Sequence, residues 1–209
     1  MCFSATASFA AGGALSVAGV LTIAKAKKKK ELPLASVPLL LGIQQAIEGV
    51  VWISFGKPIL NMIATYAYVF FSHILWPIFI PLSVLLIEKD PRRKRILGLF
   101  LAIGLGVGLY IAYFIGLNSV TSCIIDRSIG YNSMTLYPLV TTAVYVTIVC
   151  GSLLVSSYRM MNIFGLTLFG SFAVAAWFFV NVFFSVWCFF AAILSVLIYW
   201  HFRTKRMNE

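Results

Sequence analysis

A chain of 209 residues that is 61% hydrophobic and 11% charged cannot bury its apolar surface as a water-soluble domain, in which about a quarter of residues are charged. Its mean hydropathy of +0.98 makes lipid the main solvent. The net charge of +10 is not a nucleic-acid footprint, because the basic residues stand in short clusters between apolar runs, the pattern that governs membrane insertion.

Seven apolar runs reach or approach the roughly 20 residues that a membrane span needs. They lie at about 3–24, 34–55, 61–87, 96–117, 135–157, 162–180 and 182–202. The first has no basic residue before it and a lysine cluster after it, so it reads as a retained helix and not a cleaved signal. Its Ser4, Ser8, Gly12 and Ser16 recur every four residues and predict a helix-facing surface. The second run carries "GIQQAIEGVVW", with Gln44, Gln45 and Glu48 in its middle. In the third, Pro77 and Pro81 remove backbone bonds to the carbonyls of His73 and Pro77. That predicts a bend below His73, with the freed carbonyls facing protein or water.

The fourth run repeats the small-residue stripe at Gly104, Gly108, Ala112 and Gly116. A long loop, 118–134, then carries Asp126 and Arg127 and reads as a lid or a plain connection. The last two runs are nearly fused in a stretch of 38 residues, 163–200. It is too long for one span and enough for two with a turn at Asn181; the alternative is six spans with one long tilted helix. Ser185, Cys188, Ala192 and Ser195 share one face of the seventh run.

Charge chooses between these. Of the 16 basic residues, all but Lys57 and Arg127 fall on one side of a seven-span chain. The expected fold is therefore an all-α transmembrane bundle of seven helices in one domain, with the amino terminus outside and the carboxyl terminus cytoplasmic. Cys2 and Cys123 fall on the outer side and are able to pair in an oxidising compartment. Cys150 and Cys188 lie within spans, where a cysteine packs as a small hydrophobe. There is no CxxC, no haem-attachment motif and no phosphate-binding glycine pattern, so no motif names a cofactor.

The chemistry is concentrated in two residues. Glu48 is the only acidic residue well inside a run, and His73 the only histidine. An ionisable group in the bilayer costs at least about 2.5–3.5 kcal/mol on insertion scales and is a functional candidate by default. At a rise of 1.5 Å per residue, Glu48 lies roughly 10 Å and His73 roughly 18 Å from the outer ends of their helices. Regular helical spacing then puts Tyr66 two turns above His73, level with Glu48, and Gln44 level with His73. Ser8, Thr141, Tyr145 and Cys188 fall at similar or slightly greater depth. Trp52, Trp177 and Trp187 stand nearer the outer face, where an aromatic belt is the ordinary reading.

These residues predict an outward-facing polar pocket for a small molecule or ion, with Gln44, Gln45, Glu48, Tyr66, His73 and Cys188 as ligand- or proton-binding candidates. A proton relay through Glu48 and His73 is its simplest use. Transport or sensing follows from such a site. An intramembrane enzyme is the second reading, with His73 as base to Cys188 or Ser8, or with a metal on Glu48, His73, Cys188 and an inward-folded Cys2. A three-histidine zinc centre is excluded, and retinal attachment lacks a lysine within the seventh run. The third reading is structural: an accessory subunit whose polar groups only join helices, at about 0.6 kcal/mol per contact.

The strings "MCFSATASF", "GIQQAIEGVVW", "SHILWPIFIPLSV" and "WCFFAAILS" resemble a bacterial family of small polytopic membrane proteins known only as a domain of unknown function. The resemblance runs over essentially the whole chain. It implies the seven-helix architecture, a bacterial inner or plasma membrane, and no particular reaction. The strings contain Cys2, Ser4, Gln44, Gln45, Glu48, Trp52, His73, Trp76, Pro77, Trp187 and Cys188.

Overall fold

The computed structural model describes residues 4–125, 128–132, 137–179 and 182–207, the last four without their side chains. Cys2, the Asp126–Arg127 pair and the expected turn residue Asn181 lie outside the described residues, as do the side chains of Lys205 and Arg206.

Helix α1 (Ala5–Ile23) begins where the Ser4 hydroxyl accepts the Ala7 N–H at 3.2 Å. A short 3₁₀ turn at Lys29–Glu31 leads into α2 (Leu32–Ser54). Then α3 (Pro58–Val69), a π turn (Phe70–Leu75) and α4 (Trp76–Ile87) follow without a break. Helix α5 (Pro91–Leu117) is capped by Asp90, whose carboxylate accepts the N–H groups of Arg92 and Arg93. A hairpin of β1 (Thr121–Ile125) and β2 (Ser128–Asn132) precedes α6 (Pro138–Val155), α7 (Arg159–Phe178), α8 (Phe183–Leu194) and α9 (Val196–Met207). Pro58, Pro91 and Pro138 stand in first helical turns, where the missing N–H costs nothing.

Seven helical segments are long and apolar enough to cross a membrane, at 5–23, 29–54, 58–87, 91–117, 138–155, 159–178 and 183–203. Each matches an expected run. The fused stretch is two helices, broken between Phe178 and Phe183. The hairpin is the departure from an all-α reading. Its strands pair antiparallel from Thr121↔Asn132 to Ile125↔Ser128, within what the sequence presents as a loop.

Small residues set the packing. A Cβ on Gly12 would stand 2.9 Å from the Ala46 nitrogen and 3.0 Å from the Gly42 carbonyl, and one on Gly42 would stand 2.8 Å from the Ser16 nitrogen. The antiparallel α1–α2 pair thus meets backbone to backbone along the expected stripe, the close approach that packing in lipid requires. The carbonyl of Pro77, freed by Pro81, lies against Gly104 of α5, where a Cβ would meet it at 2.0 Å. The exposed side chains include Leu109, Leu117, Leu139 and Trp177, an apolar surface suited to lipid.

The bundle has two distinct ends. One carries the hairpin. The other carries the basic clusters and is tied by Glu88 and its neighbours. The Glu88 carboxylate accepts from the N–H groups of Lys89, Asp90 and Ser157 and from the Ser157 hydroxyl, at 2.7–3.1 Å. Arg93 donates to the carbonyls of Val155 and Ser156, both at 2.8 Å, capping α6. Burial raises the Glu88 carboxyl, and the bonds from Ser157, Asp90 and Lys89 more than reverse this, leaving it below its ordinary value of 4.5.

Candidate functional site

The polar residues of α2, the π turn and α8 meet in the half of the bundle nearer the hairpin. Gln44, Gln45 and Glu48 are buried on α2, at 0%, 1% and 0% exposure. Their spacing of three and four residues puts them on adjoining faces of one helix. The Glu48 carboxylate accepts the Ser185 hydroxyl at 2.5 Å. Gln44 Oε1 accepts the indole N–H of Trp76 at 2.8 Å. The Cys188 thiol interacts with Gln44 and Tyr68 and lies within electrostatic reach of Glu48. Gln45 is different: both of its amide heavy atoms are buried and form no hydrogen bond with the described residues. The Ser8 hydroxyl on α1 shares that condition. A buried polar atom left in this state costs about 1–3 kcal/mol and demands an explanation.

His73 is held by a local network. Ser72 Oγ lies 3.0 Å from the Tyr68 carbonyl and 2.7 Å from His73 Nδ1. A hydroxyl has one proton. If it goes to the Tyr68 carbonyl, Nδ1 carries its own proton and donates to Ser72, leaving Nε2 as the basic nitrogen. The Phe184 ring sits over the imidazole, centroids 4.0 Å apart. Phe184 and Ser185 are consecutive on α8, so this helix touches both His73 and Glu48.

The π turn decides which side chains join the cluster. Continuing its five-residue pattern from Ser72 would need an N–H at Pro77, and proline has none. The Tyr145 hydroxyl of α6 donates to the Ser72 carbonyl instead, at 2.7 Å. The wide turn also shifts the register above it by one residue. Tyr68, fully buried, occupies the face above His73 and stacks on Tyr131 of β2 with centroids 4.3 Å apart. Tyr66 stands elsewhere, its hydroxyl accepting the Val120 N–H at 3.3 Å at the base of the hairpin. Thr65, also buried, bonds Ser122, which bonds Asn61, so α3 anchors β1.

Of the cavities that adjoin the cluster, two share part of their lining. The larger, about 430 Å³, opens at the hairpin end between β2, α6, α7 and α8, with Ser185 in its lining. The smaller, about 50 Å³, is lined by His73, Thr141, Tyr145 and Phe184 among others. Phe184 and Thr142 border both.

Of the sequence candidates, Gln44 and Cys188 interact, Glu48 bonds Ser185, and His73 packs on Phe184 beside Ser185; Gln45 shares their helix without a described hydrogen bond, and Tyr66 stands apart. Ser185, Ser72, Trp76 and Tyr68 join without having been singled out as site residues. Ser185 carried a signal, since it shares a small-residue face with Cys188. Among the described residues no three of His, Cys, Asp and Glu come together as a metal-binding set; Cys2 is outside them. Cys123 is exposed and forms no disulfide among the described residues.

Over residues 1–209 the chain matches the model of DUF6629, a family of unknown function, and belongs to that family. No curated protein and no solved structure matches it.

Proposed function

We propose that this is a multi-pass membrane protein whose hairpin end faces outward and whose Glu48 cluster binds a small molecule or ion, with Glu48 and His73 as the proton-carrying pair of a transport or sensing site. One observation carries the reading. Glu48, wholly buried, takes its hydrogen bond from Ser185, and Ser185 lines the cavity that opens at the hairpin end. A carboxyl one hydroxyl away from an open cavity is placed to exchange a proton or answer a ligand. The distribution of the 16 basic residues supports the orientation. The Gln45 amide, which forms no hydrogen bond with the described residues, supports a site over mere joinery, since polar glue satisfies its own groups.

The test is infrared difference spectroscopy of the purified chain in lipid nanodiscs, stepped from acid to neutral pH. A carboxylic-acid band that titrates in the wild type and vanishes in a folded Glu48→Gln supports the reading. A Glu48 band unmoved by pH removes the proton-carrying role. Loss of folding in both Glu48→Gln and His73→Ala would favour the structural reading. The position of Cys188 within electrostatic reach of Glu48 favours, as a second reading, an intramembrane enzyme with a cysteine nucleophile. Covalent labelling of Cys188 by a membrane-permeant maleimide that depends on Glu48 would move that reading forward.

A further inference from the structure

A small void lies where five helices meet, α2, α4, α6, α7 and α8, about one turn below the polar cluster toward the basic end. Its wall starts at Leu41 on α2, three residues below Gln44, and at Cys188 on α8, three residues below Ser185. All but one of its wall residues are buried, and Ala191, the exception, is partly buried. The wall residues and their chain neighbours all belong to the described part of the chain.

The void stays open because its rings are pinned. Trp76 donates its indole N–H to Gln44 at 2.8 Å, and Trp187 donates its own to the Leu168 carbonyl at 3.2 Å. The Tyr145 hydroxyl donates to the Ser72 carbonyl at 2.7 Å. Trp187 also stacks on Phe183, centroids 5.6 Å apart. Turning any of the three pinned rings inward would strand a buried donor, which is costly.

The same bonds keep water out. The volume of about 30 Å³ exceeds the roughly 10–15 Å³ that one water needs, so room is not the limit. A buried water also needs roughly two to four polar partners. The three N–H and O–H protons of the wall are spent, and the Cys188 thiol interacts with Gln44 and Tyr68. The Tyr145 oxygen and a weakly accepting sulfur remain, too little to replace the bonds a water makes in bulk. An apolar guest gives up no such bonds. It gains dispersion contacts with the rings of Trp76, Tyr145, Phe164 and Trp187.

We infer that this void is a binding site for one neutral apolar molecule of the size of dioxygen, held against the Cys188 thiol. Such molecules dissolve readily in lipid, so the bilayer supplies them.

The probe is xenon, applied under pressure to the full chain in nanodiscs with carbon-13 in its Ile, Leu and Val methyls and its cysteines. Saturable shifts are expected at Ile80, Val149, Leu168 and the Cys188 Cβ. They should exceed those of Leu109 and Leu117, which are 69% and 63% exposed and face lipid. Ala191→Leu and Val149→Phe, which fill the void, should each weaken binding by about tenfold or more. The comparison within the wild type stands even if both filled variants misfold. Wall shifts no larger than those at Leu109 and Leu117, or unchanged in a folded filled variant, overturn the inference. So does a wild-type response that spares Cys188. Strong cross-relaxation from water to the Val149 or Leu168 methyls would show a wet void and overturn it as well. None of these readouts involves Glu48, so the binding role proposed above stands or falls separately.

Discussion

Among the buried glutamates of this chain, Glu88 and Glu48 sit in opposite circumstances. Glu88, at the basic end, receives four hydrogen bonds, three of them from backbone N–H groups, and joins the α4–α5 turn to the start of α7. Glu48, in the hairpin half, accepts from a side chain, the Ser185 hydroxyl, and the Gln45 amide one turn away on the same helix forms no hydrogen bond with the described residues. Backbone donors are fixed by the fold and cannot answer a ligand. Side-chain donors turn, and a hydroxyl lining a cavity turns most easily. The pair teaches that burial alone does not identify a functional carboxylate; the nature of its partners does.

That contrast breaks if Glu88 proves dispensable. Glu88→Ala abandons three backbone donors at a tight junction. It should cost about 3 kcal/mol, at roughly 1.5–3 kcal/mol for hydrogen bonds to a charged group with some replacement by water. Denaturation by sodium dodecyl sulfate, followed by circular dichroism, measures it; a loss under about 1 kcal/mol would make Glu88 an ordinary surface acid. The pH dependence has a definite sign. The folded-state value lies below 4.5, so the stabilisation is complete above pH 4.5 and is lost as pH falls through the lowered folded value. Wild type should therefore weaken in that acid window, and Glu88→Gln should not share that dependence.

The contrast sharpens at Gln45. Leucine there is of similar volume and removes two buried polar atoms that have no described partner. If they serve only the fold, Gln45→Leu should raise stability by about 1–2 kcal/mol, the cost of an unsatisfied group removed. The site reading predicts the same gain together with lost ligand response, a trade of stability against function. A destabilised Gln45→Leu would show that the amide already has its partners.

Much of this was legible in the sequence, and the exceptions have physical causes. Apolar run length located seven helical segments, each long and apolar enough to cross a membrane. The stripe through Gly12 marked the α1–α2 contact, since only small residues allow backbones so close. The hairpin was hidden: strands of five residues such as "TSCII" and "SIGYN" are too short for alternation to stand out, and their pairing is tertiary. Tyr66 was placed above His73 by counting 3.6 residues per turn through a segment that does not keep that count. Pro77, just beyond the π turn, was the visible warning, and it identified the freed backbone without revealing that the widened turn would bring Tyr68 inward. Ser185 looked like packing because serine on a membrane helix usually is.

The smallest expected effect is the most telling. Glu48→Gln keeps the size of the side chain and an oxygen to accept the Ser185 hydroxyl, so the hydrogen bond at 2.5 Å survives in neutral form. Its stability cost should stay below about 1 kcal/mol, the scale of one interhelical polar contact in a membrane protein. Side by side in the same denaturation, Glu48→Gln should sit close to wild type and Glu88→Ala far below it. If Glu48→Gln falls as far, its carboxylate is a structural lock like Glu88 and the proposed site loses its centre. If it holds while the titrating infrared band disappears, the fold has kept in its interior a proton-carrying group that its stability does not need, and only a role in binding explains that.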